Sequence, residues 1–250
     1  MPPRIAAIVT GHSRGLGEAI ATHLLVRGVR VLGVARHANG DLARRYGDAL
    51  TQVQLDLADG VASSEWLRAN AIDNHVREAD IALLVNNAGV LQPVGPLDSL
   101  DTDLVTSAAA VNVGAALALS AAFARGTQSI KDRRILHISS GAGRHAYEGW
   151  SVYCASKAAL DHHARAVALE RSTLRICSVA PGVIDTEMQA EIRASSNELI
   201  PDRPHFVEMK REGRLLSADA AGRAVVEFLL SETFGSEPVT DLRHAQARGT

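Results

Sequence analysis

Nearly continuous apolar runs alternate with longer amphipathic or alanine-rich stretches along the 250 residues of the chain. The short runs are typical of β-strands covered on both faces, and the longer stretches have the apolar spacing of helices. The predicted strands are Ile5–Thr10, Val29–Ala35, Leu50–Asp56, Ile81–Asn86, Arg134–Ser139, Arg175–Ala180 and a short one at Val239–Asp241. The predicted helices are Gly15–Arg27, Ser63–Val76, Asp101–Arg125, Tyr153–Arg171 and Ser217–Leu230. This alternation predicts an α/β fold: a doubly wound, mainly parallel, seven-stranded sheet with helices on both faces.

One segment interrupts the alternation. Residues 187–216 are polar, contain Pro201 and Pro204, and lie between the sixth predicted strand and the last predicted helix. An insertion after the carboxyl end of a strand lies where such sheets bind ligands, and a long connection there is often a lid. We therefore expect a substrate lid, with a plain surface excursion as the alternative. Since no Gly-, Ser- or Pro-rich linker divides the chain, residues 1–250 are predicted to form a single domain.

Composition narrows the function classes. Hydrophobic residues make up 46% and charged residues 22%, with a net charge of -2 and no basic block, so we expect a globular protein without a nucleic-acid partner. Two cysteines, Cys154 and Cys177, make neither a disulfide framework nor a metal-ligand spacing, which favours a reducing cytoplasm and predicts no metal site. We expect that no apolar run reaches the ~20 residues of a membrane span.

A glycine-rich turn, Thr10–Gly17, follows the first predicted strand and opens the first predicted helix. Glycines allow a tight turn and close approach of the backbone to a pyrophosphate, and the helix N-terminus adds partial positive charge. The spacing is Gly-x-x-x-Gly-x-Gly, not the usual Gly-x-Gly-x-x-Gly, and a purely structural turn is the alternative. The strand-turn-helix context favours a dinucleotide site. Its predicted binding residues are Gly11, Ser13, Arg14, Gly15, Leu16 and Gly17.

The end of the second predicted strand indicates which dinucleotide binds. Folds that bind NAD commonly have an acid there for the ribose hydroxyls, but this chain has Arg36 and His37. Arg36, together with Arg14 in the glycine-rich turn, suits the 2′-phosphate of NADP(H), because a guanidinium matches phosphate geometry. The alternative is two ordinary solvated arginines. We expect NADP(H) as the cofactor.

Tyr153 and Lys157 are four residues apart on a predicted helix and therefore lie one turn apart on one face. A neighbouring ammonium favours the phenolate, so it is expected to lower the tyrosine pKa from its ordinary value near ~10. Such a tyrosine can give a proton to an alkoxide or take one from an alcohol. Ser140, just past the fifth predicted strand, could hold the substrate oxygen. Each residue alone has a structural alternative; together they predict interconversion of a carbonyl and an alcohol.

The chain resembles the short-chain dehydrogenases/reductases over essentially its whole length. The matching pieces, in order, are Thr10–Gly17, Asn86-Asn87-Ala88-Gly89, Asn112, Ile138-Ser139-Ser140, Tyr153 to Lys157, and Pro181-Gly182. The resemblance implies a Rossmann-type fold and an NADP-dependent oxidoreductase. It also implies a homodimer or homotetramer built through the helices around 101–125 and 153–171.

Residue roles follow from the resemblance. Tyr153 is the expected general acid/base, and Lys157 lowers its pKa and holds the nicotinamide ribose. Ser140 orients the carbonyl, with Ser139 as the less favoured neighbour, and Asn112 positions a water that connects Lys157 to solvent. The remaining cofactor contacts that the resemblance implies are Asp56, Leu57, Asn87, Ala88, Gly89, Pro181, Gly182, Val183 and Thr186.

A closer resemblance is to the branch that contains sepiapterin reductases and bacterial benzil reductases. It rests on 139–153, which includes Tyr147, Gly149 and Trp150, and on 181–189 and 213–217. The branch implies reduction of a carbonyl in a vicinal dicarbonyl or hydroxyketone. The alternatives are an NADP-binding regulator with little turnover and an alcohol dehydrogenase of another substrate class.

Five residues are candidates for the substrate pocket: Gly141, Tyr147, Trp150, Met188 and Asp241. Tyr147 and Trp150 fall between the catalytic Ser and Tyr, and aromatic walls would suit a planar or aromatic ketone. Met188 could close the pocket from the lid side. An acid near the position of Asp241 anchors the pterin in sepiapterin reductases. For each, packing or capping is the alternative.

Overall fold

A parallel sheet forms the centre of the molecule. The computed structural model describes residues 1–170 and 173–245. The strands of this part are β1 (Ile5–Thr10), β2 (Arg30–Ala35), β3 (Leu50–Gln54), β4 (Ile81–Asn86), β5 (Asp132–Ile138), β6 (Leu174–Ala180) and β7 (Val239–Asp241). They form one seven-stranded sheet in the order β3-β2-β1-β4-β5-β6-β7, and every neighbouring pair is parallel. The predicted sheet is confirmed.

Helices cover both faces of the sheet. Those described are α1 (Gly15–Val26), α2 (Gly40–Tyr46), α3 (Gly60–Arg68), α4 (Ala71–Val76), α5 (Thr102–Ala109), α6 (Ala115–Gly126), α7 (Ser151–Ala168), α8 (Glu187–Ala194), α9 (Arg203–Arg211), α10 (Ala218–Leu230) and α11 (Leu242–Ala245). Alternate residues of β1 enter two separate cores. Ala7 and Val9 pack with residues of α1 and α10, and Ala6 and Ile8 pack with residues of α6 and α7.

Several predicted boundaries were wrong. The helix predicted at Ser63–Val76 is two helices, α3 and α4, because Asn70 between them adopts a left-handed φ of 56°. Helix α7 begins at Ser151, two residues before the predicted start at Tyr153, and it ends at Ala168; the predicted end, Arg171, lies outside the described residues. Strand β3 ends at Gln54 and β5 at Ile138, so Asp56 and Ser139 follow their strands.

The stretch Thr102–Gly126 is one continuous helical rod in which α5 and α6 are joined by a π-helical turn, Ala110–Gly114. By length and composition it could cross a membrane, with a mean hydropathy of 1.7, so the expectation that no apolar run reaches that length was wrong. Leu119 and Phe123 on its inner face are buried in the core beside α7. The apolar residues on the inner side of this rod therefore pack into the core of the protein.

Candidate active site

A cleft of about 630 Å³ runs along the carboxyl ends of the strands. It extends from the glycine-rich turn after β1 to the start of α7 and to the 187–216 segment. The predicted site residues that line it are Gly11, Ser13, Arg14, Gly15, Leu16, Gly17, Arg36, Asp56, Leu57, Asn87, Ala88, Gly89, Ser140, Gly141, Tyr147, Trp150, Tyr153, Lys157, Pro181, Gly182, Val183, Thr186 and Met188. Two predicted site residues, Asn112 and Asp241, do not line it.

The glycine-rich turn is tied to the chain after β4. The Thr10 hydroxyl accepts hydrogen bonds from the backbone N–H groups of Asn87 and Ala88, each at 2.9 Å, and the Asn87 side chain donates to the Thr10 carbonyl at 2.9 Å. A Cβ on Gly17 would overlap the Gly11 carbonyl oxygen and the Asn87 side chain. The turn therefore lies directly against the next loop, and no side chain fits between them.

The start of α1 offers the kind of site that a pyrophosphate requires. Arg14 is the N-cap residue, and its side chain caps none of the backbone N–H groups in the first turn. These groups adjoin the cleft, and the glycines at 11 and 15, with φ of 68° and 58°, keep side chains away from it. Free N–H donors at a helix N-terminus bind anions, so the residues present fit a dinucleotide.

Two arginines lie at the same end of the cleft. Arg36 is exposed directly after β2, and Arg14 forms an ion pair with Glu187 at the start of α8. Asp56 follows the neighbouring strand β3 and also lines the cleft, and its carboxylate accepts a hydrogen bond from the Ala58 backbone at 3.0 Å. The cleft thus has a cationic side at the end of β2, where the ribose of a dinucleotide would lie.

Ser140 and Tyr153 meet at the other end of the cleft. Tyr153, on the first turn of α7, is 7% exposed, and the Ser140 side chain lies near enough to its hydroxyl to favour the phenolate. The Ser140 hydroxyl also accepts a hydrogen bond from the Ala142 N–H at 3.2 Å. The Ser139 hydroxyl, in contrast, is buried without a partner among the described residues. This geometry favours Ser140 over Ser139 as the group that holds a substrate oxygen beside the phenol.

Lys157 lies one helical turn beyond Tyr153, as its spacing predicts. It is 4% exposed, its ammonium donates a hydrogen bond of 2.8 Å to the Ile138 carbonyl, and its Nζ atom is 5.5 Å from the centre of the Tyr153 ring. Burial lowers the lysine pKa to about 8, against the opposing effect of Asp161. The ammonium is therefore held close to the phenol while its own charge is destabilised.

The sequence predicts that Lys157 lowers the pKa of Tyr153, but in the folded chain this pKa is raised. Burial raises the pKa of Tyr153 to about 12, and the nearby Ser140 side chain only partly offsets that effect. Desolvation dominates because the phenolate would lie in a buried pocket. At neutral pH the phenol keeps its proton, which is the form that can donate to a developing alkoxide.

Asn112 lies within the π-helical turn, behind the cleft wall. Its side chain accepts a hydrogen bond from the Val90 N–H at 2.8 Å and donates one to the Val90 carbonyl at 2.9 Å. Its Oδ1 atom and the Lys157 ammonium lie near Gly89, at 3.3 and 3.6 Å from the position that a Cβ would occupy there. The side chain thus braces the loop beside Lys157. The role in positioning a water stays a prediction.

Aromatic rings line the end of the cleft that contains Tyr153. The Trp150 ring lies 5.1 Å from Tyr147 and stacks on Phe206 of α9, with ring centres 5.5 Å apart and planes 13° apart. It also meets the edge of Tyr153 at 5.8 Å. Phe206 was missed by the sequence reasoning, which assigned no positions within 187–216 except Met188. The apolar residues Ile192 and Phe206 in that polar segment were the available signal, and both line the cleft.

Asp241 was expected to line the cleft, but it does not. Its carboxylate is paired with Arg243, and the Arg243 side chain lines the cleft instead. Arg243 donates to the carboxylate through Nε at 2.9 Å and through Nη2 at 2.6 Å. Burial raises the pKa of Asp241, but these hydrogen bonds outweigh burial and keep the pKa below its ordinary value. The side chain that this terminus presents to the cleft is therefore Arg243, which the sequence reasoning also missed.

Comparison with known proteins agrees with this geometry. The family model described as short chain dehydrogenase matches residues 5–197, which include the turn after β1, Ser140, Tyr153 and Lys157. The chain belongs to the short-chain dehydrogenase family. It is accordingly an oxidoreductase of the kind that uses a nicotinamide cofactor.

Two relatives match this family member over most of its length. A benzil reductase ((S)-benzoin forming) from Bacillus cereus is 35% identical, with 91% of this chain and 94% of the relative covered. A sepiapterin reductase from Xenopus tropicalis is 29% identical, with 93% and 94% covered. The expected likeness to this branch of the family is confirmed.

Among solved structures, a short-chain dehydrogenase/reductase from Burkholderia vietnamiensis is 45% identical. It superposes with a TM-score of 0.71, covering 97% of this chain and 99% of that one. The likeness extends over the whole sheet and its helices, in agreement with the single Rossmann-type fold.

Proposed function

We propose that this short-chain dehydrogenase is an NADPH-dependent carbonyl reductase that acts on a ketone within a vicinal dicarbonyl or a related compound. The observation that carries the proposal is the contact between Ser140 and a Tyr153 that keeps its proton, next to Lys157, at the end of a cleft that begins at a glycine-rich helix N-terminus. The relatives named benzil reductase and sepiapterin reductase support the choice of substrate class.

The chain's own residues divide the work of reduction. Ser140 and Tyr153 hold the carbonyl oxygen between two hydroxyl groups, which polarises the C=O bond and orients it. Tyr153 gives its proton to that oxygen as negative charge develops there. Lys157 places a positive charge near the phenolate that this transfer leaves. The bound cofactor supplies the hydride.

The choice of reduction rests on the relatives. A phenol whose pKa is raised to about 12 is in the form that gives a proton during carbonyl reduction, and the same groups run alcohol oxidation in reverse. We therefore favour reduction over the alcohol dehydrogenase alternative because the similar proteins are named as reductases. The regulator alternative has no specific contact in its favour. The unpaired thiols Cys154 and Cys177 support a reducing compartment such as the cytoplasm.

The preference for NADPH rests on Arg36 and Arg14. Neither β2 nor the residues directly after it provide an acid for the ribose, and both guanidinium groups border the cleft. Phosphate binding would have to compete with Glu187 for Arg14, so we assign the larger part of the selectivity to Arg36.

The test is cofactor oxidation by the purified chain with a panel of carbonyls: benzil, other α-diketones, sepiapterin, quinones and simple aldehydes, each with NADPH and with NADH. Selective turnover of a diketone or pterin with NADPH supports the proposal. Arg36→Leu should raise the KM for NADPH about tenfold and leave that for NADH unchanged, because only NADPH carries the extra phosphate. Arg45→Leu, on an exposed arginine of α2 outside the cleft, is the control. If no carbonyl is reduced while NADPH binds, the reductase proposal is wrong.

A further inference from the structure

The charged side chains of the cleft are unevenly distributed. Arg14 and Arg36 lie at the dinucleotide end, and Glu187 is paired with Arg14. Glu191 lies one turn after Glu187 and thus on the same face of α8. Among the described residues, the other Lys and Arg side chains that line the cleft are Lys157 and Arg243. Both belong to the part of the cleft where the substrate would bind.

Arg243 lies close to the residues that hold the substrate. Arg243 and Tyr147 both line the cleft. The Tyr147 hydroxyl in turn is 3.9 Å from the position that a Cβ would take on Gly141, the residue after Ser140. The Arg144 side chain donates to the Thr240 carbonyl at 3.3 Å, which ties the loop after Ser140 to β7. Arg243 is therefore positioned at the Ser140 side of the cleft.

The guanidinium is held in place and still has donors to spare. The Asp241 carboxylate accepts hydrogen bonds from Nε and Nη2 of Arg243, and its Oδ1 also accepts one from the Arg243 backbone N–H at 3.0 Å. The Nη1 group makes no hydrogen bond with any described residue, and 59% of the side chain is exposed. An arginine that is oriented by a buried carboxylate loses little conformational freedom when it binds a second group.

The remaining walls select the rest of the substrate. Tyr147, Trp150 and Phe206 form an apolar aromatic surface beside Tyr153. Such a surface suits a planar aryl group, because offset and edge-to-face ring contacts stabilise it. A ketone held by Ser140 and Tyr153 would therefore have aromatic rings and a guanidinium among its surroundings.

We propose that Arg243 is a substrate-binding residue that receives the carboxylate of an aryl 2-oxo acid while the adjacent ketone is reduced. This inference rests on the proposed carbonyl reductase function and names a substrate class for it. A guanidinium prefers a carboxylate because the charges are opposite and its N–H groups match the two oxygens.

The reaction balances with the reductant already proposed. The carbonyl carbon receives a hydride, with its two electrons, from the reduced nicotinamide of NADPH, which is oxidised to NADP⁺. The C=O π bond breaks, and its oxygen takes the Tyr153 proton, which solvent replaces. The ketone becomes a secondary alcohol, and the carboxylate is unchanged.

The experiment compares two probes that differ in charge, benzoylformate and methyl benzoylformate, with benzil as a third. We expect Arg243→Leu to lower the ratio of kcat/KM for the acid to kcat/KM for the ester about tenfold, through the KM of the acid, because one charge-assisted contact is lost. Both probes are measured on the same enzyme sample, so partial unfolding caused by an unpaired Asp241 cancels in the ratio. Arg243→Lys keeps the charge without the planar fork and should give an intermediate ratio.

The matched control is Arg223→Leu, which removes an exposed arginine of another Arg–Asp pair, on α10 outside the cleft. Its ratio should equal that of the unaltered chain. An unchanged ratio in Arg243→Leu, or an equal fall in Arg223→Leu, would overturn the assignment of Arg243. If none of the three carbonyls is reduced with NADPH, the proposed function itself fails, so the two failures are distinguishable.

Discussion

At the scale of single residues, burial shifts the pKa values of two ionisable side chains in the site. Tyr153 and Lys157 are nearly fully enclosed, and desolvation opposes the charged form of each. It raises the pKa of the tyrosine to about 12 and lowers that of the lysine to about 8. The phenol therefore keeps its proton at neutral pH, and the lysine changes its charge near pH 8.

Removing the phenolic hydroxyl should separate chemistry from binding. We expect Tyr153→Phe to lower kcat about 10²- to 10⁴-fold, because the developing alkoxide loses its proton donor. NADPH affinity, measured by fluorescence titration, should stay within about twofold, since the ring remains in place. Tyr46→Phe, on α2 outside the cleft, is the control and should keep full activity. Loss of activity together with cofactor binding would contradict the assigned role.

The lysine pKa gives a pH dependence with a definite sign. Lys157 is charged below about 8 and neutral above it, whereas Tyr153 stays protonated up to about 12. We therefore expect kcat/KM for carbonyl reduction to fall as the pH rises through about 8, because the phenolate left by proton transfer loses its neighbouring charge.

The measurement is a pH profile of kcat/KM for benzil, from about pH 6 to about pH 10. In Lys157→Arg the side chain does not titrate in this range, so the decline should be absent from whatever activity remains. A decline of the same midpoint in that variant would assign it to another group.

At the scale of elements, turns and caps decide where the site residues lie. Asn70, in the left-handed conformation, divides the predicted third helix, and the π-helical turn Ala110–Gly114 carries Asn112. A π-helical turn is a frequent feature of functional sites, but it has no sequence pattern of its own. Residues 187–216 form helices α8 and α9, and the Leu216 N–H closes the segment onto the Val183 carbonyl at 3.0 Å.

The contact between the first turn and the loop after β4 should not tolerate one added methyl group. Gly17→Ala places a Cβ against the Gly11 carbonyl and the Asn87 side chain, so we expect a loss of about 1–3 kcal/mol in the free energy of unfolding. Urea unfolding measures it. Gly60→Ala, with no atom within 4 Å of the new Cβ, is the control and should be neutral or slightly stabilising. Equal losses in both variants would refute the close-contact explanation.

At the scale of the whole molecule, strand order creates the cleft. Strand β1 pairs with both β2 and β4, so the chain leaves the sheet in opposite directions on either side of β1. Ligand crevices open at such switch points. The same fold leaves the outer face of the rod Thr102–Gly126 uncovered, with 33% of its most apolar window buried within the chain.

An apolar helix face of this kind predicts association with a second copy of the chain. Leu104 on α5 is 51% exposed, and we expect Leu104→Glu to shift a homodimer or homotetramer toward monomer, because the charge would be buried in the interface. Sedimentation velocity measures the assembly. Val26→Glu, on α1 at the opposite face of the sheet and 65% exposed, is the matched control. A monomeric parent chain, or an unchanged assembly in Leu104→Glu, would contradict the prediction.

The sequence by itself determined the parallel sheet, the glycine-rich turn and the Ser140, Tyr153 and Lys157 set, because these depend on local periodicity and fixed spacing. Tertiary structure decided what depends on distant segments coming together. Phe206 contacts Trp150 only because α9 packs against the start of α7. Arg243 is paired with the Asp241 carboxylate and lines the cleft, whereas Asp241 does not. The direction of the Tyr153 pKa shift was decided by burial, which spacing along one helix does not encode.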